Sequence, residues 1–180
     1  MVNSRFLVAW TVFHLAFQCH GLLDEAIVSF GPESAASTSL SIVDSPILCD
    51  SDDFVGIHIA ARSLAADLEQ ITGKARRIVN FTTAFSPPTP ALTSAIIVGS
   101  ANSSLIQTFV RNNITDVSEI KGKWETFKTT VVEKPLPGVA RALLIVGSDK
   151  RGTIFGIHTL SEQSGQSPYE QSCSKIMRIG

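Results

Sequence analysis

The segment GSDKRGT at residues 147–153 is the stretch of the chain that most resembles a chemical motif. A phosphate-binding loop follows the pattern GxxxxGK and then Ser or Thr, because its lysine must reach the phosphates. Gly147 and Gly152 have this spacing, but Thr153 stands in the position of the lysine. We therefore predict a structural turn in which Asp149 caps the next helix and Gly152 lets its first turn pack closely. The members of this turn and cap motif are Gly147, Asp149, Arg151 and Gly152.

Other residue types that perform catalysis form no recognisable constellation in the sequence. The nucleophile pattern GxSxG and the dinucleotide-binding pattern GxGxxG are both absent. Hydrolysis of a glycosidic bond needs two flanking carboxyl groups, yet no spacing singles out a pair among Glu133, Asp149 and Glu162. His158 and Glu162 are four residues apart, and without a third metal ligand a solvated surface pair is the simpler interpretation. We predict no catalytic residue, no metal ligand and no cofactor.

Length and charge restrict the class of protein further. The chain has 180 residues, of which 15 are basic and 16 are acidic, so its formal net charge is −1. This length suits one domain and is below the roughly 250 residues of a (β/α)₈ barrel. Since the charges nearly balance, there is no electrostatic reason to expect nucleic acid or an anionic membrane as a partner.

Residues 1–21 have the layout of a signal peptide. Arg5 precedes an apolar run over Phe6–Phe17, and the small residues Cys19 and Gly21 occupy the −3 and −1 positions of a cleavage site. The alternative is a membrane anchor, but the run is shorter than the roughly 20 apolar residues that a spanning helix needs. We therefore expect a secreted, extracellular protein that has no membrane association once the signal peptide is cleaved.

Three Asn-x-Ser/Thr sequons agree with export. They begin at Asn80, Asn102 and Asn113, in or beside stretches that we expect to form loops or turns. Cys49 and Cys173 remain after cleavage and could form one disulfide in an oxidising compartment, although two cysteines are no disulfide framework.

Hydrophobic periodicity predicts alternating strands and helices in the mature chain. Ala26–Phe30 and Leu40–Asp44 are typical of a hairpin. A helix capped by Asp52 or Asp53 should run to Thr72, because apolar residues recur there every three or four positions. The other predicted helices are residues 100–112 and 150–165, and the other predicted strands are residues 76–81, 95–98, 126–133 and 142–146.

The sequence IVGS occurs twice, around Gly99 and Gly147, each time after a fully apolar run and before a helical pattern. This repetition is typical of βα units. The predicted fold class is therefore α/β, a small two-layer sandwich in which helices pack on a mixed β-sheet.

Residues 140–168, ALLIVGSDKRGTIFGIHTLSEQSGQSP with the flanking positions, resemble the glycoside hydrolase 115 family, the xylan α-1,2-glucuronidases. Four shorter segments are similar to the same family. They are Gly122–Phe127, Pro135–Ala140, Ile27–Pro32 and Ala60–Gly73. The resemblance extends from about Leu22 to Pro168, whereas residues 169–180 are unlike the family. We therefore expect an α/β accessory domain over 22–168 and a tail over 169–180, which a frameshift, a retained intron or a misplaced stop codon would explain.

The resemblance implies a function for the parent enzyme rather than for this segment. The family releases glucuronic acid or 4-O-methylglucuronic acid from xylan, without a cofactor, through carboxylates on a (β/α)₈ barrel that follows an N-terminal α/β domain. The implied partners are the catalytic barrel and, as a second candidate, xylan. Without a barrel partner, the apolar docking face should bind a hydrophobic dye. The alternative is a stand-alone secreted carbohydrate-binding or partner-binding module. Such a module needs an exposed aromatic platform, and Trp124 is the one tryptophan outside the leader, which argues against this alternative.

Overall fold

The computed structural model describes residues 28–30, 40–82, 87–165 and 177–179. The predicted signal peptide, Cys173 and most of the tail at 169–180 lie outside these residues. In chain order the elements are β1 (Val28–Phe30), β2 (Leu40–Ser41), β3 (Ile47–Asp50), α1 (Val55–Thr72), β4 (Ile78–Phe81), β5 (Leu92–Ser100), α2 (Ser104–Arg111), β6 (Phe127–Leu136), β7 (Val139–Gly147), α3 (Lys150–Gly165) and β8 (Met177–Ile179).

Five of the strands form a mixed sheet in the order β4-β3-β5-β7-β6. The first four are parallel, and β6 runs antiparallel to β7. The pairing of β5 with β7 extends from Leu92 opposite Val139 to Ser100 opposite Gly147, so the two IVGS segments lie side by side. The central strands carry continuous apolar residues because both faces of the sheet are covered. The predicted α/β fold with helices packed on a mixed sheet is confirmed.

Alternation along the strands divides the interior into two cores. Ile96 and Val98 point to the face that α1 and α3 cover, together with Ile57 and Leu64 of α1 and Leu160 of α3. The opposite face carries the short helix α2 and the loop after it, and its core consists of Ala95, Ile97, Leu105, Phe109, Ile120 and Leu144 among others. Successive strand residues point to opposite faces, so each buried strand contributes to both cores.

Helix α1 follows its predicted apolar stripe, but its predicted cap is wrong. The helix ends at Gly73, whose φ of 68° provides the left-handed turn and whose N–H donates to the carbonyl of Glu69. At its start, the N-cap residue is Phe54, and no side chain caps the helix. Asp53 instead accepts hydrogen bonds from Ser100 at the end of β5, a tertiary contact that local sequence rules do not include.

Helix α2 begins four residues later than its predicted start at Ser100. Gly99 and Ser100 continue strand β5, since both pair with β7 up to Gly147. The chain then turns, and Ser103 becomes the N-cap residue. The predicted boundary was wrong because Ser100 is itself a good capping type, and the strand pairing that keeps it extended is not local.

The predicted hairpin of β1 and β2 is also wrong. Both strands pair antiparallel with β8, which lies between them. Residues 31–39 separate β1 from β2, a connection longer than the two to five residues of common hairpin loops. Strand β8, from the tail at 169–180, therefore pairs with β1 and with β2, which we had expected to pair with each other.

Candidate functional site

The carboxyl edge of the parallel strands is where an α/β fold normally binds its ligand. Ligands occupy the crevice at the point where the strand order reverses. That point lies here between β3 and β5. From β3 the chain passes through α1 to β4 on one side of this point. From β5 it passes through α2 to β6 and β7 on the other side. The N-terminal ends of α1 and α2 open at this edge on opposite faces of the sheet.

Two aspartates close this switch point with hydrogen bonds. Asp50, the last residue of β3, accepts the backbone N–H of Leu105 at 2.9 Å and the hydroxyl of Ser104 at 2.7 Å, both in the first turn of α2. Asp53 accepts the N–H of Ser100 at 2.7 Å and its hydroxyl at 2.8 Å. The loop after β3 is thereby joined to the end of β5 and to α2.

Hydrogen bonds favour the charged form of Asp50 although its side chain is buried. Its side chain is buried, and burial by itself would raise the pKa of a carboxyl group. Hydrogen bonds from Leu105, Ser104 and Asp52 outweigh burial and lower the pKa below its ordinary value. The helix N-terminus, which elsewhere binds a phosphate or carboxylate ligand, is therefore occupied by a carboxylate of the chain itself.

The turn and cap motif at the start of α3 is a second hydrogen-bonded site. The Asp149 carboxylate accepts the N–H of Gly152 at 2.8 Å and the N–H of Glu125 at 3.0 Å. These two hydrogen bonds, the one from Gly152 foremost, lower the pKa of Asp149. Asp149 thus satisfies the first turn of α3 and also fixes the loop before β6.

Close backbone approach explains both glycines of this motif. A Cβ on Gly147 would collide with the backbone N of Thr153, and a Cβ on Gly152 would collide with the carbonyl oxygen of Thr126. Thr153 is buried, and its hydroxyl donates to the carbonyl of Asp149 at 2.9 Å. The residue at the position of the phosphate-loop lysine is therefore part of the packing, and the motif has a structural role.

The loop before β6 presents Trp124 to solvent from a fixed backbone. The indole is 83% exposed. Glu125 follows with a φ of 52°, a left-handed conformation that is uncommon for residues other than glycine. The contacts that hold it are the bond to Asp149 and an ion pair in which Arg151 Nη1 lies 2.8 Å from Glu125 Oε1. These contacts fix the backbone of the residue that follows Trp124.

Large exposed hydrophobic side chains lie in the N-terminal halves of α1 and α3 and on the loop before β6. The two helices begin side by side, since a Cβ on Gly56 would lie 3.3 Å from Cδ1 of Ile154. Two of the exposed residues lie at the start of α1, one lies in the second turn of α1, one lies in the second turn of α3, and one lies on the loop bonded to α3. We name them the apolar cluster, and they are Phe54, Val55, Ile59, Trp124 and Phe155. Exposed apolar side chains are candidates for an interaction surface where they form one patch.

A separate cleft lies between α1 and β4. Its volume is about 460 Å³, and its lining consists of Ser51, Val55, His58, Arg62, Ile78 and Asn80. His58 and Arg62 are one helical turn apart on α1 and face the strand. Among the residues that the structure describes, neither side chain has a hydrogen bond or an ion pair.

The sequon asparagines are all exposed. Asn102 and Asn113 lie in turns on either side of α2, as expected for sites between elements. Asn80 lies inside strand β4 rather than in a loop, because residues 78–81 pair with β3. Whether these residues carry carbohydrate stays a prediction.

Cys49 lies in the middle of β3 and is a free, buried thiol. Burial, assisted by the charge of Asp53, raises its pKa to about 12. The thiolate that would react is therefore disfavoured at neutral pH. Cys173, the proposed disulfide partner, is outside the described residues.

The remaining candidates from the sequence do not form a site. Glu133 is exposed on β6, and His158 and Glu162 are exposed on α3. In the described part of the chain, no three side chains of His, Cys, Asp or Glu come together to hold a metal ion. Nor does any helix there have the length and apolar character that crossing a membrane requires. The sequence analysis did not identify Asp50 or its hydrogen bonds to α2. A signal for it exists, because a polar run directly after a buried strand is typical of the edge of a parallel sheet, and that run is Asp50–Asp53.

Comparison with known structures shows that the described fold resembles one part of a much larger protein. The chain is similar to a novel family GH115 4-O-methyl-alpha-glucuronidase, BtGH115A, with specificity for decorated arabinogalactans, at 24% sequence identity and a TM-score of 0.52. The similarity covers 74% of this chain and 15% of that chain. A structure of CpGH84D gives 11% identity and a TM-score of 0.48, covering 84% of this chain and 22% of the other. No protein-family model and no curated protein matches. The chain thus has the fold of one part of a glycoside hydrolase and spans a small share of its length.

Proposed function

We propose that the chain is the N-terminal accessory domain of a secreted glycoside hydrolase of the xylan α-1,2-glucuronidase type, without hydrolytic activity of its own. The observation that carries the proposal is the closed switch point. Where an α/β domain would bind a substrate or cofactor, Asp50 and Asp53 are hydrogen-bonded to Ser104, Leu105 and Ser100. A glycosidase needs two carboxyl groups free to flank the glycosidic bond, and these two carboxylates already have partners within the fold.

We also propose that this domain docks onto the catalytic barrel of the parent enzyme, and that the apolar cluster is the surface that docks. Its members Val55 and Ile59 are 72% and 54% exposed, which is unfavourable for a domain that remains in water. Exposed aromatic and aliphatic anchors of this kind contribute most of the binding energy when a partner covers them. The similarity to 15% of a GH115 chain agrees with a domain that works beside a much larger one.

Trp124 favours the alternative, a stand-alone carbohydrate-binding module. A flat ring that is 83% exposed, on a loop held by Asp149 and Arg151, could stack on a sugar. We prefer the accessory domain because Trp124 is only one of the large hydrophobic side chains that the described part of the chain exposes, and two of the others, Val55 and Ile59, are aliphatic.

Two measurements on the purified chain without residues 1–21 separate these proposals. We expect no release of 4-O-methylglucuronic acid from glucuronoxylan, and binding to the barrel of a GH115 enzyme from which the first domain has been deleted. Ile59→Gln should weaken that binding at least tenfold, whereas Glu69→Gln, an exposed change on the same helix, should leave it unchanged. Release of the sugar acid would contradict the proposal. Binding to insoluble xylan that Trp124→Ala abolishes and Ile59→Gln leaves intact would establish the alternative.

A further inference from the structure

The cleft between α1 and β4 has the surface of a sugar-binding site. Val55 and Ile78 contribute apolar walls, while Ser51, His58, Arg62 and Asn80 contribute polar groups. A volume of about 460 Å³ lies within the range of small-ligand sites. A pyranose ring suits such a lining, since its C–H faces pack on aliphatic side chains and its oxygens accept hydrogen bonds.

Two donors of this cleft, His58 and Arg62, have no partner within the described residues, whereas the Ser51 hydroxyl donates to Asp52 at 3.4 Å. His58 is half-buried and Arg62 is exposed, and neither makes a hydrogen bond or ion pair there. Val55 above them is 72% exposed. Donors without acceptors beside a wet aliphatic side chain indicate a surface that a ligand with both apolar and acceptor groups would cover.

We propose that the occupant of this cleft is carbohydrate attached to Asn80. Asn80-Phe81-Thr82 is a sequon, the asparagine is exposed, and its side chain belongs to the lining of the cleft. Ile78 and Asn80 lie two residues apart in β4 and therefore point to the same side, toward α1. The first N-acetylglucosamine would then lie on Val55 and accept hydrogen bonds from Arg62 and His58.

The modification depends on the proposed secretory route, which supplies the co-reactant, a lipid-diphosphate-linked oligosaccharide. The amide nitrogen of Asn80 forms a bond to the anomeric carbon and loses a proton. The bond from that carbon to the phosphate oxygen breaks, and the lipid diphosphate leaves with the electron pair.

The position of Asn80 gives the carbohydrate a second effect. Strand β4 is the last strand on its side of the five-stranded sheet, so its outer main-chain groups face no other described strand. Exposed edges of this kind pair with other chains and cause aggregation unless they are covered. The sugars beyond the first N-acetylglucosamine could extend from the cleft over this edge, whereas carbohydrate at Asn102 or Asn113, in the turns around α2, could not.

Occupancy is the first test, in a glycosylating eukaryotic cell and behind a heterologous signal peptide, so that entry into the secretory route does not depend on residues 1–21. Mass spectrometry of the secreted chain should find N-acetylhexosamine on Asn80, and Thr82→Ala should remove it. An unmodified Asn80 in the secreted protein would overturn the proposal. Val55 belongs both to this cleft and to the apolar cluster. Barrel binding is therefore measured on the unglycosylated Thr82→Ala chain, so that failure of either proposal can be distinguished from failure of the other.

Contact of the sugar with the cleft is the second test. Arg62→Ser should lower the Tm of the glycosylated chain by about 2 to 4 °C, the shift expected for the loss of one good contact in a domain of this size. In the Thr82→Ala background the same substitution should have no effect. The Tm difference between the Arg62→Ser variant and the unaltered glycosylated chain should remain when the carbohydrate is trimmed to its first N-acetylglucosamine. It should also remain in an Asn102→Gln background. Equal shifts in both backgrounds would show that the sugar projects into solvent and would overturn its placement in the cleft.

Discussion

The carboxylate of Asp50, at the end of β3, accepts the backbone N–H of Leu105 at 2.9 Å in the first turn of α2. The two residues are 55 positions apart in sequence, so the helix is capped across the sheet rather than by a neighbour. Ser103, the local N-cap residue, accepts the N–H of Ile106 at only 3.4 Å. The stronger cap comes from another strand, and it fixes α2 over the switch point.

Asp50→Ala should destabilise the fold. The substitution leaves the buried N–H of Leu105 without a partner, and it removes the acceptor of the Ser104 hydroxyl. Hydrogen bonds to a charged group contribute about 1.5 to 3 kcal/mol each, so we expect a loss of roughly 3 kcal/mol. The free energy of unfolding in urea measures this loss. Asp52→Ala, at an exposed position two residues on, is the matched control and should cost little; equal costs would contradict the role of Asp50.

Stability should decrease in acid, in part because of Asp50. Its pKa is lowered in the folded state, so the unfolded chain binds a proton at a higher pH than the folded chain does. The stabilisation is therefore present at neutral pH and is lost as pH falls below about 4 and through the folded pKa. Urea midpoints at pH 7 and pH 3 should differ less in Asp50→Asn than in the unaltered chain. An unchanged pH dependence in that variant, with Asp52→Asn as control, would contradict the assignment.

Gly152→Ala should destabilise the chain through a steric clash. The added Cβ would meet the carbonyl oxygen of Thr126, which is backbone and cannot rotate away. Overpacking of this kind costs about 1 to 3 kcal/mol. Gly165→Ala provides the control, because nothing lies within 4 Å of a Cβ at that position. Thermal unfolding of both variants measures the difference, and a Gly152→Ala variant as stable as the control would show that α3 can move away from Thr126.

Local patterns predicted the elements of this fold better than their connections. The stripe through Ile57, Leu64 and Leu68 sufficed to predict α1, and continuous apolar residues sufficed for β5 and β7, because burial on one or two faces determines those patterns. Pairing of β1 and β2 with β8 depends on main-chain hydrogen bonds between distant segments, which leave no periodic signal in strands of two or three residues.

The candidate site residues also fall into two groups, those that local sequence rules predict and those that only the fold brings together. Capping by Asp149 follows from its position directly before a helical pattern, so local rules include it. The partners of Asp50 and Asp53 come from β5 and α2, and only the fold brings them together. The cleft likewise combines residues of α1 and β4 that no spacing in the sequence connects.

Cys49 should be unreactive in the native protein. Its side chain is fully buried, and burial raises its pKa to about 12, so the thiol stays protonated between pH 7 and pH 9. A thiol reagent at pH 8 should label Cys49 only when the fold opens, and quickly in urea. Peptide mass spectrometry identifies the label on Cys49, and the same chain labelled in urea serves as the comparison. Rapid labelling of Cys49 without denaturant, or its recovery in a disulfide with Cys173, would mean that β3 is more accessible than the packing of α1 against the sheet allows.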